Sequence, residues 1–173
     1  MTTDDEFSRY DVCTLASSCG SASDLLAQMV ISEQDVTFIE RRTVGQSSNE
    51  IWKRMRKGRL TASNFYRVYT KVETLKKNPL ADCTKLVKSL LDPTDISHLP
   101  QIARGVTEEM RARETVKRTL AEHHTNMQVS ECGLYLCVDQ PYLGASPDGI
   151  LTCSCCERAL LEIKCPTNDL GAL

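Results

Sequence analysis

No stretch of this 173-residue sequence is apolar over anything near the ~20 residues that a bilayer-spanning helix needs, so a membrane partner is not expected. The opening Met1-Thr2-Thr3-Asp4-Asp5-Glu6 has neither the basic nor the apolar region of a signal peptide, which points to an intracellular chain. No basic cluster is long enough to assert nuclear import. No internal repeat is visible, which sets aside repeat architectures. In a reducing compartment the nine cysteines do not form a disulfide frame and read as free thiols or metal ligands. Net charge is also scarce, only −2 overall.

That small net charge hides a strong asymmetry. Residues 1–40 carry eight acids and one arginine, a net of −7, whereas residues 41–77 carry eleven Lys or Arg against Glu50 and Glu73, a net of +9. The middle of the chain therefore reads as a polyanion-binding surface.

Length and composition fit a single soluble domain with a real core. Residues 1–36 are rich in Ser, Thr and Asp and read as a polar, acidic lead-in, mobile or weakly helical; 37–173 read as the folded domain. Short helices are expected from Asn49 to Arg56, broken at Gly58, and from Thr61 through Phe65, Val68 and Val72. A third runs from Leu80 to Leu91, ended by Asp92-Pro93, and a longer one from Gln101 to Glu122. Strands are expected near 127–132, 134–138, 142–145, 149–153 and 159–165. Helices first and a meander of strands afterwards predict an α+β fold, with helices packed on a mixed sheet.

Leu143-Gly144-Ala145-Ser146-Pro147-Asp148-Gly149 and Leu161-Glu162-Ile163-Lys164-Cys165-Pro166 carry the most chemistry. On a strand, Glu162 and Lys164 project to one side with Leu160, while Leu161, Ile163 and Cys165 take the other. A carboxylate and an ammonium on one face need partners, which Asp148 and a divalent metal would supply. Asp148 and Glu162, with the Ile163 carbonyl, are a hard-oxygen donor set suited to Mg²⁺. Lys164 would orient an attacking water and offset charge on a phosphate. The bland alternative is a solvated edge strand. Glu109 is a carboxylate on the apolar stripe of the long helix; its bland alternative is a pair with Arg113 at i+4.

A second constellation is the basic block from Trp52 to Ser63. It ends at a helix start, where free N–H groups attract phosphate, with Arg56 offering a fork and Ser63 a hydroxyl. The alternative is a solvated basic face with Trp52 as a core anchor. A third is Cys153-Ser154-Cys155-Cys156, the residues a zinc would use, with Cys132, Cys137 and Cys165 as further candidates. Its C-x-C-C spacing departs from paired C-x₂₋₄-C and favours free thiols. His123 and His124 fall at the end of the long helix, where a cationic imidazole suits the dipole.

These blocks, in this order, resemble the YqaJ-type viral recombinase domains, lambda-exonuclease-like members of the PD-(D/E)XK nuclease superfamily. The resemblance runs from about Thr37 to Pro166 and rests on Ile39-Glu40, Gln46, Trp52, Arg56, Leu60-Thr61-Ala62-Ser63, Gly105 with Glu109, and the two motifs above. It implies a restriction-endonuclease-like fold with helices on a central mixed sheet. It also implies an Mg²⁺- or Mn²⁺-dependent deoxyribonuclease acting on linear duplex ends, from the 5′ side, in recombination, repair or mobile-element processing. By resemblance Asp148 and Glu162 are metal ligands, Lys164 the catalytic lysine, Glu109 the helix acid near the metal, and Arg56 and Ser63 the holders of a 5′-phosphate. Ring-shaped trimers occur among relatives. Family members continue through a helix carrying a glutamine near the site and further strands, whereas this sequence ends nine residues after Lys164, so the resemblance implies a C-terminally truncated domain. Two other readings stay open: a degenerate nuclease fold that binds DNA ends without cutting, and a cysteine–zinc interaction domain.

Overall fold

A computed structural model describes residues 6–94 and 99–165. The first five residues of the acidic opening, Pro166 of the last motif and the tail 167–173 lie outside the described residues. Seven α-helices come first: α1 (Val12–Ala16), α2 (Ala22–Gln28), α3 (Glu33–Arg42), α4 (Glu50–Arg56), α5 (Ala62–Lys77), α6 (Thr84–Leu91) and α7 (Pro100–Ala121). Five short strands follow: β1 (Gln128–Ser130), β2 (Tyr135–Leu136), β3 (Gly144–Ala145), β4 (Gly149–Thr152) and β5 (Ala159–Leu161). The chain is α+β, as expected, and no helix among the described residues is long and apolar enough to cross a membrane.

Local chemistry sets most helix starts. Asp11 accepts the Cys13 amide at 2.9 Å to open α1, and Ser32 and Asp35 cap α3 reciprocally. Asn49 Oδ1 accepts the amides of Ile51 and Trp52 to open α4. At α5, the Asn64 side chain accepts the Thr61 amide at 2.8 Å.

The chain divides into two compact units, Met1–Thr94 with Gly133–Ser146, and Asp95–Cys132 with Pro147–Leu173. The first holds a core of Phe7, Tyr10, Ile31, Val36, Ile39, Met55, Leu134 and Leu136. Its sheet is the antiparallel pair β2–β3. The second holds a three-stranded antiparallel sheet in the order β1-β4-β5, with Gly149 opposite Leu161. Among the described residues the strands thus form two small antiparallel sheets. A hairpin-length connection joins β4 to β5 antiparallel, and among the described residues parallel pairing is confined to the bridge Leu60–Leu143.

The acidic lead-in reads from its sequence as mobile or weakly helical. Its described residues form helices, and Phe7 and Tyr10 are core residues, Phe7 stacking on Phe38 at 5.2 Å. Composition hid this because a few aromatic anchors suffice to bury a segment that is otherwise polar. The helical faces of α5 and α6 behave in the opposite way: Phe65, Val72 and Val87 share the expected stripes yet are exposed.

Two close approaches lock the first unit. A side chain at Gly133 would meet the Glu40 carbonyl at 2.0 Å, because the Gly133 amide reaches Glu40 Oε1 and the Leu134 amide reaches Thr43 Oγ1. Arg59 is buried and donates to the carbonyls of Tyr10 (2.6 Å), Met55 (2.5 Å) and Pro141 (2.9 Å), joining three distant segments. Burial lowers its pKa to about 10, so it stays a cation at neutral pH. Arg59→Ala strands three carbonyls and should lower unfolding stability by at least about 3 kcal/mol. Arg59→Lys should recover only part of this, because one ammonium cannot reproduce the fork. Chemical denaturation of the three proteins checks the order; equal midpoints would contradict it.

Candidate active site

Asp148 immediately precedes β4, and its amide donates to the Leu161 carbonyl at 3.0 Å. This fixes the start of β4 beside the end of β5. The Asp148 carboxylate then accepts the Ile163 amide at 2.5 Å through Oδ2, so the two motifs are stitched together at the backbone.

The ladder of β5 ends at Leu161, short of the strand expected through 165. Beyond it Asp148 offers a side chain instead of a strand partner. The alternation survives nonetheless: Leu160, Glu162 and Lys164 are exposed, and Leu161, Ile163 and Cys165 are half-buried. Glu162 and Lys164 form an ion pair on that exposed face.

Glu109 lies on α7, as expected, and pairs with Arg113 Nη2 at 2.8 Å. Arg113 Nη1 bonds Glu131 at 2.5 Å, and its Nε is buried with no hydrogen-bond partner among the described residues. Burial and then the charge of Asp148 raise the Glu109 pKa, against the pull of Arg113. Lys164 is raised by its hydrogen bond to Glu162, and the charges of Asp148 and Glu109 add to this. Glu109, Asp148, Glu162 and Lys164 therefore form one electrostatic neighbourhood within the second unit. Glu131 was not singled out by the sequence; it lies outside both motifs, and only the fold brings it to Arg113.

A hard divalent cation fits the donor chemistry of this neighbourhood. Asp148, Glu162 and the Ile163 carbonyl offer oxygens only, and the exposed face leaves room for water. The carboxylates do not converge as a closed cage. Among the described residues, the one group of three or more acidic, His or Cys side chains converging at metal-ligand spacing lies elsewhere.

That group is Cys153, Cys155, Cys156 and His124, whose ligand atoms all lie within 4.8 Å of one another. Cys132, Cys137 and Cys165 do not join it. His124 was legible only as a helix-end histidine, because it precedes Cys153 by 29 residues, a span that includes β1 to β4. The sheet order β1-β4-β5 is what returns the hairpin tip to it.

In the first unit, Arg56 stands 4.1 Å from the Trp52 ring and donates through Nη2 to Ser63 Oγ (2.8 Å) and Thr61 Oγ1 (3.3 Å). Trp52 is itself held by a 2.8 Å bond from Nε1 to Ser146 Oγ. These contacts aim Arg56 at the start of α5. Burial lowers the Arg56 pKa. Much of the remaining basic block is already engaged: Arg54 with Asp11, Arg59 with carbonyls, Lys53 with Glu50 and Lys76 with Glu73. The free polyanion surface is smaller than eleven cations suggest.

Glu109 should titrate above the ordinary glutamate value of about 4.3. Asp148→Asn removes a repelling charge and should lower that midpoint, whereas Arg113→Met should raise it further. Carboxyl-carbon NMR titration reads both shifts, and a midpoint indifferent to Asp148→Asn would show that the two acids do not sense each other.

No curated protein and no solved structure matches the chain. The model of the viral alkaline exonuclease family matches residues 2–168, reaching back through the acidic opening and forward past both motifs. By that match over nearly its whole length, the chain belongs to the viral alkaline exonuclease family.

Proposed function

We propose that the chain is a divalent-metal-dependent deoxyribonuclease that hydrolyses DNA phosphodiesters from a 5′ end. The observation that carries this reading is the joining of the two motifs, where the Asp148 carboxylate accepts the Ile163 amide at 2.5 Å between Glu162 and Lys164. Membership of an exonuclease family supports the same chemistry. Asp148, Glu162 and the Ile163 carbonyl would hold Mg²⁺ or Mn²⁺. When bound, the ion supplies Lewis-acid stabilisation of the phosphate and a more acidic water.

The residues divide the remaining work. Lys164 has a raised pKa and stays protonated at neutral pH, so its ammonium orients water and screens charge on the phosphate rather than removing a proton. Glu109 has a raised carboxyl pKa and is the acid of the group best suited to receive a proton. Arg56 and Ser63 would hold the terminal phosphate at the start of α5, the guanidinium pre-set by Trp52. Linear duplex DNA is the proposed partner, in recombination, repair or mobile-element processing inside the cell.

One observation favours a second reading, a DNA-end binder that does not cut. The carboxylates do not converge at ligand spacing among the described residues, and one Asp148 oxygen is engaged by the Ile163 amide.

Digestion of linear 5′-phosphorylated duplex DNA separates the two. The cutting reading predicts Mg²⁺-dependent shortening that falls by about 10²–10⁴-fold in Lys164→Ala. Arg56→Ala should erase preference for a 5′-phosphate over a 5′-hydroxyl. Retained DNA affinity with no shortening would establish the binding reading, and cutting at an unchanged rate by Lys164→Ala would remove Lys164 from the chemistry.

A further inference from the structure

At the tip of the β4–β5 hairpin, the end away from Asp148 and Glu162, three thiols surround one imidazole nitrogen. His124 Nδ1 lies 3.7 Å from Cys153 Sγ, 3.4 Å from Cys155 Sγ and 3.5 Å from Cys156 Sγ. Cys153 and Cys155 sulfurs are 3.5 Å apart, and Cys155 and Cys156 sulfurs 3.9 Å apart. None of these sulfurs is in a disulfide.

The spacing has a simple geometric meaning. Zinc binds thiolate at about 2.3 Å and imidazole at about 2.0–2.1 Å, so the edges of its tetrahedron are about 3.5–3.8 Å. The five distances above cluster around that edge. Ordinary packed thiols have no reason to surround one ring nitrogen as a tetrahedron, and sulfur-rich tetrahedral sets select zinc over hard cations.

The backbone independently holds the tip in place. The Ser154 amide donates to the Thr125 carbonyl at 2.9 Å, and Asn126 Nδ2 donates to Ser154 Oγ at 3.0 Å. Asn126 has a left-handed φ of 55°, which turns the chain from the end of α7 into β1.

We propose that His124, Cys153, Cys155 and Cys156 bind one Zn²⁺ in a closed Cys₃His site. Four protein ligands leave no open position, so the ion is structural. It clips the β4–β5 tip to the end of α7, the helix that carries Glu109. The opposite end of that hairpin carries Asp148 and leads into Glu162. This proposal is independent of the nuclease reading and holds whether or not the chain cuts DNA.

Metal analysis and zinc-edge X-ray absorption on the reduced wild-type chain test it. The expected result is one zinc per chain, with about three sulfurs at about 2.3 Å and one nitrogen at about 2.0–2.1 Å. Cys155→Ser and His124→Ala should lose the stoichiometric metal, His124→Cys should keep it with a four-sulfur shell, and Cys137→Ser should leave it unchanged. Failure of the reduced wild type to retain or take up Zn²⁺ would overturn the proposal, as would an oxygen-rich shell. A zinc shell unaltered by Cys155→Ser and His124→Ala would do the same. If those variants do not fold, the wild-type shell still decides.

Discussion

The buried guanidinium of Arg59 is the constraint on which the first unit depends. Three carbonyls, from Tyr10, Met55 and Pro141, converge on one cation. A cation in such a position is tolerated only when its donors are satisfied, and here each nitrogen has a backbone acceptor. Arg59 lies between Arg56 and Thr61 in sequence, so fixing it also fixes the turn that presents Arg56 to Ser63. Gly58 makes that turn feasible: it has a φ of +71°, and a side chain there would meet Val12 at 2.7 Å.

Charge is used economically around this anchor. The acids of the first forty residues are partly spent inside the molecule, Asp11 on Arg54 at 2.7 Å and Asp35 on Arg9 at 2.5 Å. Burial pushes the Asp11 carboxyl up, but the Arg54 hydrogen bond and its neighbours more than offset this and leave it below the ordinary range. A linear count of charge overstates both the acidic head and the basic middle, because ion pairing between them is invisible in one dimension. What survives as an outward cation is selective, and Arg56 is prominent because an aromatic ring and two hydroxyls fix its direction.

The sequence made the helices legible where a capping residue marks the start, as at Asn49 and Thr61. The place of Phe7 and Tyr10 in the core was not legible, because it comes through aromatic packing with Phe38 and not through periodicity. The strands were legible in place but not in length, since a ladder needs a partner and, among the described residues, β5 has none after Leu161. At the acidic neighbourhood, Asp148, Glu162 and Lys164 were singled out by residue type and spacing, whereas Glu109 was joined to them through the family resemblance, its own spacing pointing to the Arg113 pair that forms. The bonds from Ile163 to Asp148 and from Arg113 to Glu131 were not legible, because they depend on how the hairpin and α7 pack. His124 was the hardest to see as a ligand, for the pattern that reveals it exists only once β1 and β4 pair.

The central claim is that Asp148 and Glu162 hold the divalent ion, and the Ile163 amide reports on it directly through its bond to Asp148. Titrating Mg²⁺ into the chain while following backbone amides by NMR should move Ile163 and Asp148 saturably, and Asp148→Asn should abolish the movement. Amides of Ile163 and Asp148 that stay unmoved across the titration would contradict the account.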